Sequence, residues 1–101
     1  MSIKVAIVDD HPVVLKGLQN IINFYSHIQL YGFYSTGNEL LEGLKTKQPD
    51  VLLLDIQLPD KTGNELVRII SKAYPSIRIL ALTNLDSAFH VKDMMQHGCL
   101  G

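Results

Sequence analysis

Asp9 and Asp10 close the run IKVAIV, Asp55 closes VLLL, and Thr83 closes ILAL. Each is a polar group at the end of a stretch that belongs inside a protein. DVLLLDIQLP (50–59) is the sharpest case: Val51 to Leu54 run straight into a carboxylate, apolar residues resume at Ile56, and Pro59 ends the stretch. If the fold gathers these ends, three carboxylates sit at close range, and their pKa values rise unless something offsets the repulsion. A hard divalent cation offsets it, and oxygen ligands with open positions suit Mg2+. A carboxylate beside bound Mg2+ can then attack phosphorus and give an aspartyl phosphate. Thr83 brings a hydroxyl to the same edge, placed to donate to a phosphoryl oxygen.

The elements that must gather these groups alternate in period. IKVAIV (3–8) is a short apolar, β-branched run. Pro12 opens a helical pattern with Val14, Leu18, Ile21, Ile22 and Tyr25 on one face. Proline at a first helical position leaves no bond unmade, because that N–H has no partner within the helix. IQLYGFYS (28–35) is a more mixed strand and so lies nearer an edge. TGNE (36–39) is a capping box, Thr36 to Glu39, ahead of Leu40, Leu41 and Leu44. DVLLLDI (50–56) is apolar on both faces, as a central parallel strand must be. TGNE recurs at 62–65 and opens a helix through Leu66, Val67, Ile69, Ile70 and Ala73. SIRILALT (76–83) is a fourth strand, and Asp86 caps a last helix with Phe89, Met94 and Met95 that Gly98 ends.

Strand and helix alternate four times with short connections, which implies a parallel sheet with helices on both faces. In the flavodoxin-like, doubly wound order 2-1-3-4-5, sites form outside the carboxyl ends of the strands, between the first and the third. Asp9 and Asp10 follow the first strand and Asp55 follows the third, so this topology brings all three to one edge.

The totals narrow the classes of function. The chain has 101 residues, 47% hydrophobic and 19% charged, with a net charge of −1. That is one α/β domain spanning 1–101, without the clustered Lys and Arg that nucleic-acid binding by this stretch would need. One cysteine, Cys99, excludes an internal disulfide and a cysteine metal cage, which fits a reducing cytoplasm. The apolar core of MSIKVAIVDD is too short for a signal peptide, and no apolar run approaches the ~20 residues of a membrane span.

Plainer roles compete for several of these residues. Asp10 or His11 could cap the helix at Pro12. Asp55 is harder to read as a cap, because Pro59 and Gly63 separate it from a helix that Thr62 already caps. His11 sits beside the acids and could ligate a metal, but as a helix-start residue it reads first as a bystander, and His27, His90 and His97 read as solvated surface. Thr83 alone would be a strand-end hydroxyl bonded to nearby backbone. Cys99, Phe89, Met94 and Met95 read as core.

Taken together, VDDHP (8–12), LLLDIQLPDKTG (52–63), ILALT (79–83) and HGCLG (97–101) resemble a response-regulator receiver domain of two-component systems. The flavour is that of transcription factors with a C-terminal helix-turn-helix, the NarL/FixJ type, and the resemblance runs the length of the chain. It implies that Asp55 accepts a phosphoryl group from a histidine kinase. It implies that Asp10 binds Mg2+ directly, Asp9 mainly through water, and the Gln57 carbonyl as a third protein ligand beside Asp55. Thr83 would bind the phosphoryl group and move with it as the switch, and the N–H groups of Gln57 and Asn84 would help hold it. Asp55 is then a regulatory acceptor in the cytoplasm, not the catalytic residue of an enzyme, and DNA is reached only through an output domain outside this chain.

The family pattern continues past Gly98 and Gly101 with an apolar strand and a phosphate-pairing Lys, and this sequence stops before them. The expectation is an incomplete receiver, without its fifth strand and helix and with phosphorylation slowed or absent. A fourth strand without an outer neighbour would recruit a second copy, through its edge or by exchange of elements. An interaction or dimerisation module that needs no phosphate is the competing function. An aspartyl-nucleophile phosphatase would want a second Asp where Gln57 stands. A flavin carrier would want a Ser/Thr/Gly-rich phosphate loop after the first strand, where the charges of DDHP would repel the phosphate instead.

Overall fold

The computed structural model describes residues 2–82. The expectations for Thr83, Asn84, the helix after Asp86, Gly98 and Cys99 lie outside the described residues. Within them the order is β1 (Ile3–Val8), α1 (Pro12–Phe24), β2 (Ile28–Tyr34), α2 (Gly37–Leu44), β3 (Val51–Asp55), α3 (Gly63–Ala73) and β4 (Arg78–Leu82).

All pairings are parallel, in the order β2-β1-β3-β4. β1 lies between β2, where Val8 meets Tyr34, and β3, where Val8 meets Leu54. β3 in turn pairs with β4, with Asp55 opposite Leu82. The mostly apolar strands β1 and β3 are therefore interior, and the mixed β2 is at an edge, as their residue patterns suggest.

Alternation along the strands builds two cores. Ala6, Val8, Leu52, Leu54 and Ile79 face one side and pack with Leu40 and Leu44 of α2 and Leu66, Val67 and Ile70 of α3. Val5 and Ile7 face the other side and pack with Leu15 and Ile22 of α1, with Leu18, Val51 and Leu53 against them. α1 thus seats only part of the face its sequence suggests: Leu18 and Ile22 turn inward, together with Leu15. Val14, Ile21 and Tyr25 stay exposed, and Phe24 is 83% exposed. The helix is apolar on more than one side, so periodicity alone did not choose the buried face. On α3, Ile69 and Ala73 likewise lie outside the core that Leu66, Val67 and Ile70 define.

Both TGNE segments start helices. The Thr36 hydroxyl accepts from the Glu39 N–H at 3.1 Å, and the Thr62 hydroxyl from the Glu65 N–H at 3.2 Å. The first box is offset: the Glu39 carboxylate accepts from the Ser35 N–H at 3.0 Å, one residue before the cap. Gly43 is dictated by packing, since a Cβ there would fall 2.6 Å from ring carbons of Tyr34.

Candidate functional site: an acidic cluster at the sheet edge

β1 and β3 are neighbours in register, so the residues after Val8 and the last residue of β3 meet at the carboxyl edge. Asp9 is held there by its backbone, whose N–H donates to the Tyr34 carbonyl at 3.0 Å. It is only 4% exposed, and Asp55 only 8%. Asp10 is more open, with 34% of its side chain exposed. One ligand atom from each of Asp9, Asp10, His11 and Asp55 lies within 4.8 Å of the others. The predicted gathering of Asp9, Asp10 and Asp55 is therefore produced by the fold.

The two oxygens of Asp55 differ. Oδ1 accepts the Gln57 N–H at 3.0 Å. Oδ2 is buried without a hydrogen-bond partner among the described residues. Burial first, and then the charges of Asp9 and Asp10, push the Asp55 carboxyl up to about 6, against the opposing pull of the Gln57 N–H. An unpartnered carboxylate oxygen facing two more carboxylates is unfavourable unless a proton or a cation joins it.

Gln57 sits in a closed turn. It bridges to Thr62, and the Gly63 N–H donates to the Ile56 carbonyl at 3.1 Å. The same turn is tied to α2 through Asp60, whose carboxylate accepts the N–H groups of Gly37 at 2.8 Å and Asn38 at 2.9 Å. These two donors hold the Asp60 carboxyl below the usual range. A carboxylate is favoured at a helix N-terminus, where unpaired N–H groups point outward. Residues 56–63 are thereby anchored at both ends of the turn beside the acceptor position.

His11 has a larger part here than its place in the sequence suggests. It occupies the cap position of α1 but makes no side-chain cap bond. Its Nδ1 turns back to Asp9 Oδ1 at 2.8 Å and Asp10 Oδ1 at 3.1 Å, with Asp55 Oδ2 at 3.7 Å. The hydrogen bond to Asp9, then the charge of Asp10, raise its pKa above the ordinary imidazole value. The only sequence signal was its place directly after two acids. Neither Asp10 nor His11 caps α1 with its side chain. The ligand set suits a hard divalent ion: ionised carboxylates dominate it, and the orphaned Asp55 oxygen supplies a reason for a cation to be there.

A family model for the response regulator receiver domain matches residues 5–101. Among curated proteins, the chain is 32% identical to the uncharacterized transcriptional regulatory protein YxjL of Bacillus subtilis over 99% of its own length and 46% of that protein's. It is 33% identical to the DNA-binding transcriptional activator DevR/DosR of Mycobacterium tuberculosis, over 98% of this chain and 46% of that one. The chain spans about half the length of these relatives. Among solved structures it superposes on the signal receiver domain of the putative response regulator NarL from M. tuberculosis with a TM-score of 0.88 and 26% identity, covering 97% of this chain and 79% of that one. The isolated REC domain of RcsB from Salmonella enterica serovar Typhimurium, solved with the phosphomimetic BeF3−, gives a TM-score of 0.87 and 26% identity over 96% of this chain and 72% of that one.

Proposed function

The chain belongs to the response regulator receiver domain family, and we propose that Asp55 is its phosphoryl acceptor, loaded from a histidine kinase. The observation that carries the reading is the asymmetry of Asp55. One oxygen is fixed by the Gln57 N–H, and the other is buried without a hydrogen-bond partner among the described residues, in a cluster with Asp9 and Asp10.

Asp9, Asp10, Asp55 and the Gln57 carbonyl would hold Mg2+. When bound, that ion supplies positive charge against the phosphoryl oxygens, where charge spreads during transfer. The residues of the chain do the rest. A carboxylate oxygen of Asp55 forms the new bond to phosphorus as the donor's N–P bond breaks, and the electron pair leaves with the imidazole nitrogen, which then takes a proton. The Gln57 N–H orients the attacking carboxylate. The turn at 56–63, tied to α2 through Asp60, keeps Gln57 in place. Thr83 and the Asn84 N–H would receive the phosphoryl oxygens. Thr83 directly follows Leu82, the residue paired with Asp55.

The added charge and acceptor oxygens would alter contacts at this edge. In the whole protein the output would be transcriptional, through a DNA-binding domain, and the regulators among the relatives support that reading. Among the described residues no helix is long and apolar enough to cross a membrane, and we place the protein in the cytoplasm with its kinase.

The test is 19F NMR of the chain with beryllofluoride. A bound-fluoride signal that needs Mg2+ and disappears in Asp55→Asn supports the assignment. A signal that persists in Asp55→Asn contradicts it.

A further inference from the structure

Oxygen donors alone do not describe the cluster. The His11 imidazole lies inside it, and two plainer roles for that side chain, helix cap and core packing, fail. It does not cap α1. It is not packed into a core, since 64% of the side chain is exposed. Its orientation is fixed by the set of acids. Ligands next to one another on a six-coordinate ion with ~2.1 Å bonds stand roughly 3 Å apart, and opposite ones roughly 4 Å. Nδ1 is 2.8 Å from Asp9 Oδ1 and 3.1 Å from Asp10 Oδ1, at the spacing of neighbours. It is 3.7 Å from Asp55 Oδ2, between the two spacings. Asp55 is also only 8% exposed, and its Oδ2, without a hydrogen-bond partner among the described residues, is turned into the same space.

We propose that His11 is a further protein ligand of this site through Nδ1, and that it gives the site a selective hold on first-row transition ions such as Co2+ over Mg2+. The inference rests on the reading of the cluster as a divalent-cation site. The chemistry is that of the donor: imidazole suits borderline ions, whereas Mg2+ takes oxygen ligands and keeps its waters.

The His11→Ala variant separates this role from simple ion pairing, because the two have opposite signs. If His11 only pairs with the acids, its removal takes positive charge out of the cluster, and both ions bind more tightly. If it is a ligand, Co2+ binding weakens on the order of tenfold or more, while Mg2+ binding does not weaken. Calorimetric titration of the purified chain with each ion alone reads the two affinities. Proton NMR of the Co2+-loaded chain adds a direct signature: a far-shifted, solvent-exchangeable imidazole N–H that is absent in His11→Ala. Weakened Co2+ binding together with loss of that resonance supports the proposal. Unchanged or tighter Co2+ binding in the variant, or no such resonance in the wild type, overturns it while leaving the cation site intact. A wild-type chain that binds neither ion overturns both.

Discussion

Replacing Asp55 with Asn should make the metal-free protein more stable at neutral pH. The carboxyl is pushed from 3.8 up to about 6, so the folded chain holds this proton more tightly than the unfolded chain does. Stability therefore falls as pH rises from about 4 through about 6, and is flat above that window. At about 1.4 kcal/mol for each pH unit, the full penalty is about 3 kcal/mol. Water reaches the cluster at Asp10, and that screening lowers the expected effect to about 1–2 kcal/mol. Asparagine keeps the acceptor for the Gln57 N–H and turns an N–H2 toward Asp9 and Asp10, which can accept from it. Thermal melts in EDTA from pH 4 to 8 should show the variant equal to the wild type at pH 4. By pH 8 it should be above it by roughly 5–15 °C, at ~4–8 °C per kcal/mol for a chain of this size. Saturating Mg2+ should narrow or reverse the gap, since a ligand at a hundred times its Kd stabilises by about 2.7 kcal/mol. A variant that is less stable at pH 8 in EDTA, or a difference that does not change with pH, would refute this reasoning.

Other consequences are as direct. Gly17→Ala in α1, where a Cβ meets nothing within 4 Å among the described residues, should stabilise by about 0.5–1 kcal/mol in urea unfolding. Gly43→Ala in α2 should do the opposite despite the same gain in helix propensity, because the new methyl meets the Tyr34 ring. Asp60→Ala should destabilise the chain above pH 4 and match the wild type in acid: the Asp60 carboxyl is held low by the Gly37 and Asn38 N–H groups, so its contribution is lost as pH falls through the folded value. In an NMR titration without metal, His11 should titrate above the ordinary imidazole range, and Asp9→Asn should bring it down more than Asp55→Asn does. A His11 that is indifferent to Asp9 would contradict the short contact between them.

The site was legible where chemistry is tied to strand ends. A carboxylate after VLLL or IKVAIV has few places to go, and parallel strands deliver Asp9, Asp10 and Asp55 to one edge. The helix starts were legible too, because a Thr with a Glu three residues on is a local signal, and the hydroxyls of Thr36 and Thr62 bond as expected. Direction is the part that escaped. α1 carries apolar residues on two stripes, and only docking on the sheet selects Leu15 and Ile22 over Val14 and Ile21. His11 could have pointed to solvent or capped its helix, and the acids behind it decide which way it turns. Asp60 bonds to Gly37, 23 residues earlier in the chain, a contact that no local pattern encodes.

The central claim is that Asp55 takes a phosphoryl group at a divalent-cation cluster. Intact mass of the chain after incubation with acetyl phosphate tests it most directly, run with Mg2+, with EDTA, and with Asp55→Asn. A single phosphoryl adduct that forms with Mg2+, fails with EDTA and is absent from the variant is the expected result. An adduct of equal yield on Asp55→Asn, or none on a wild-type chain shown to bind Mg2+, would contradict it.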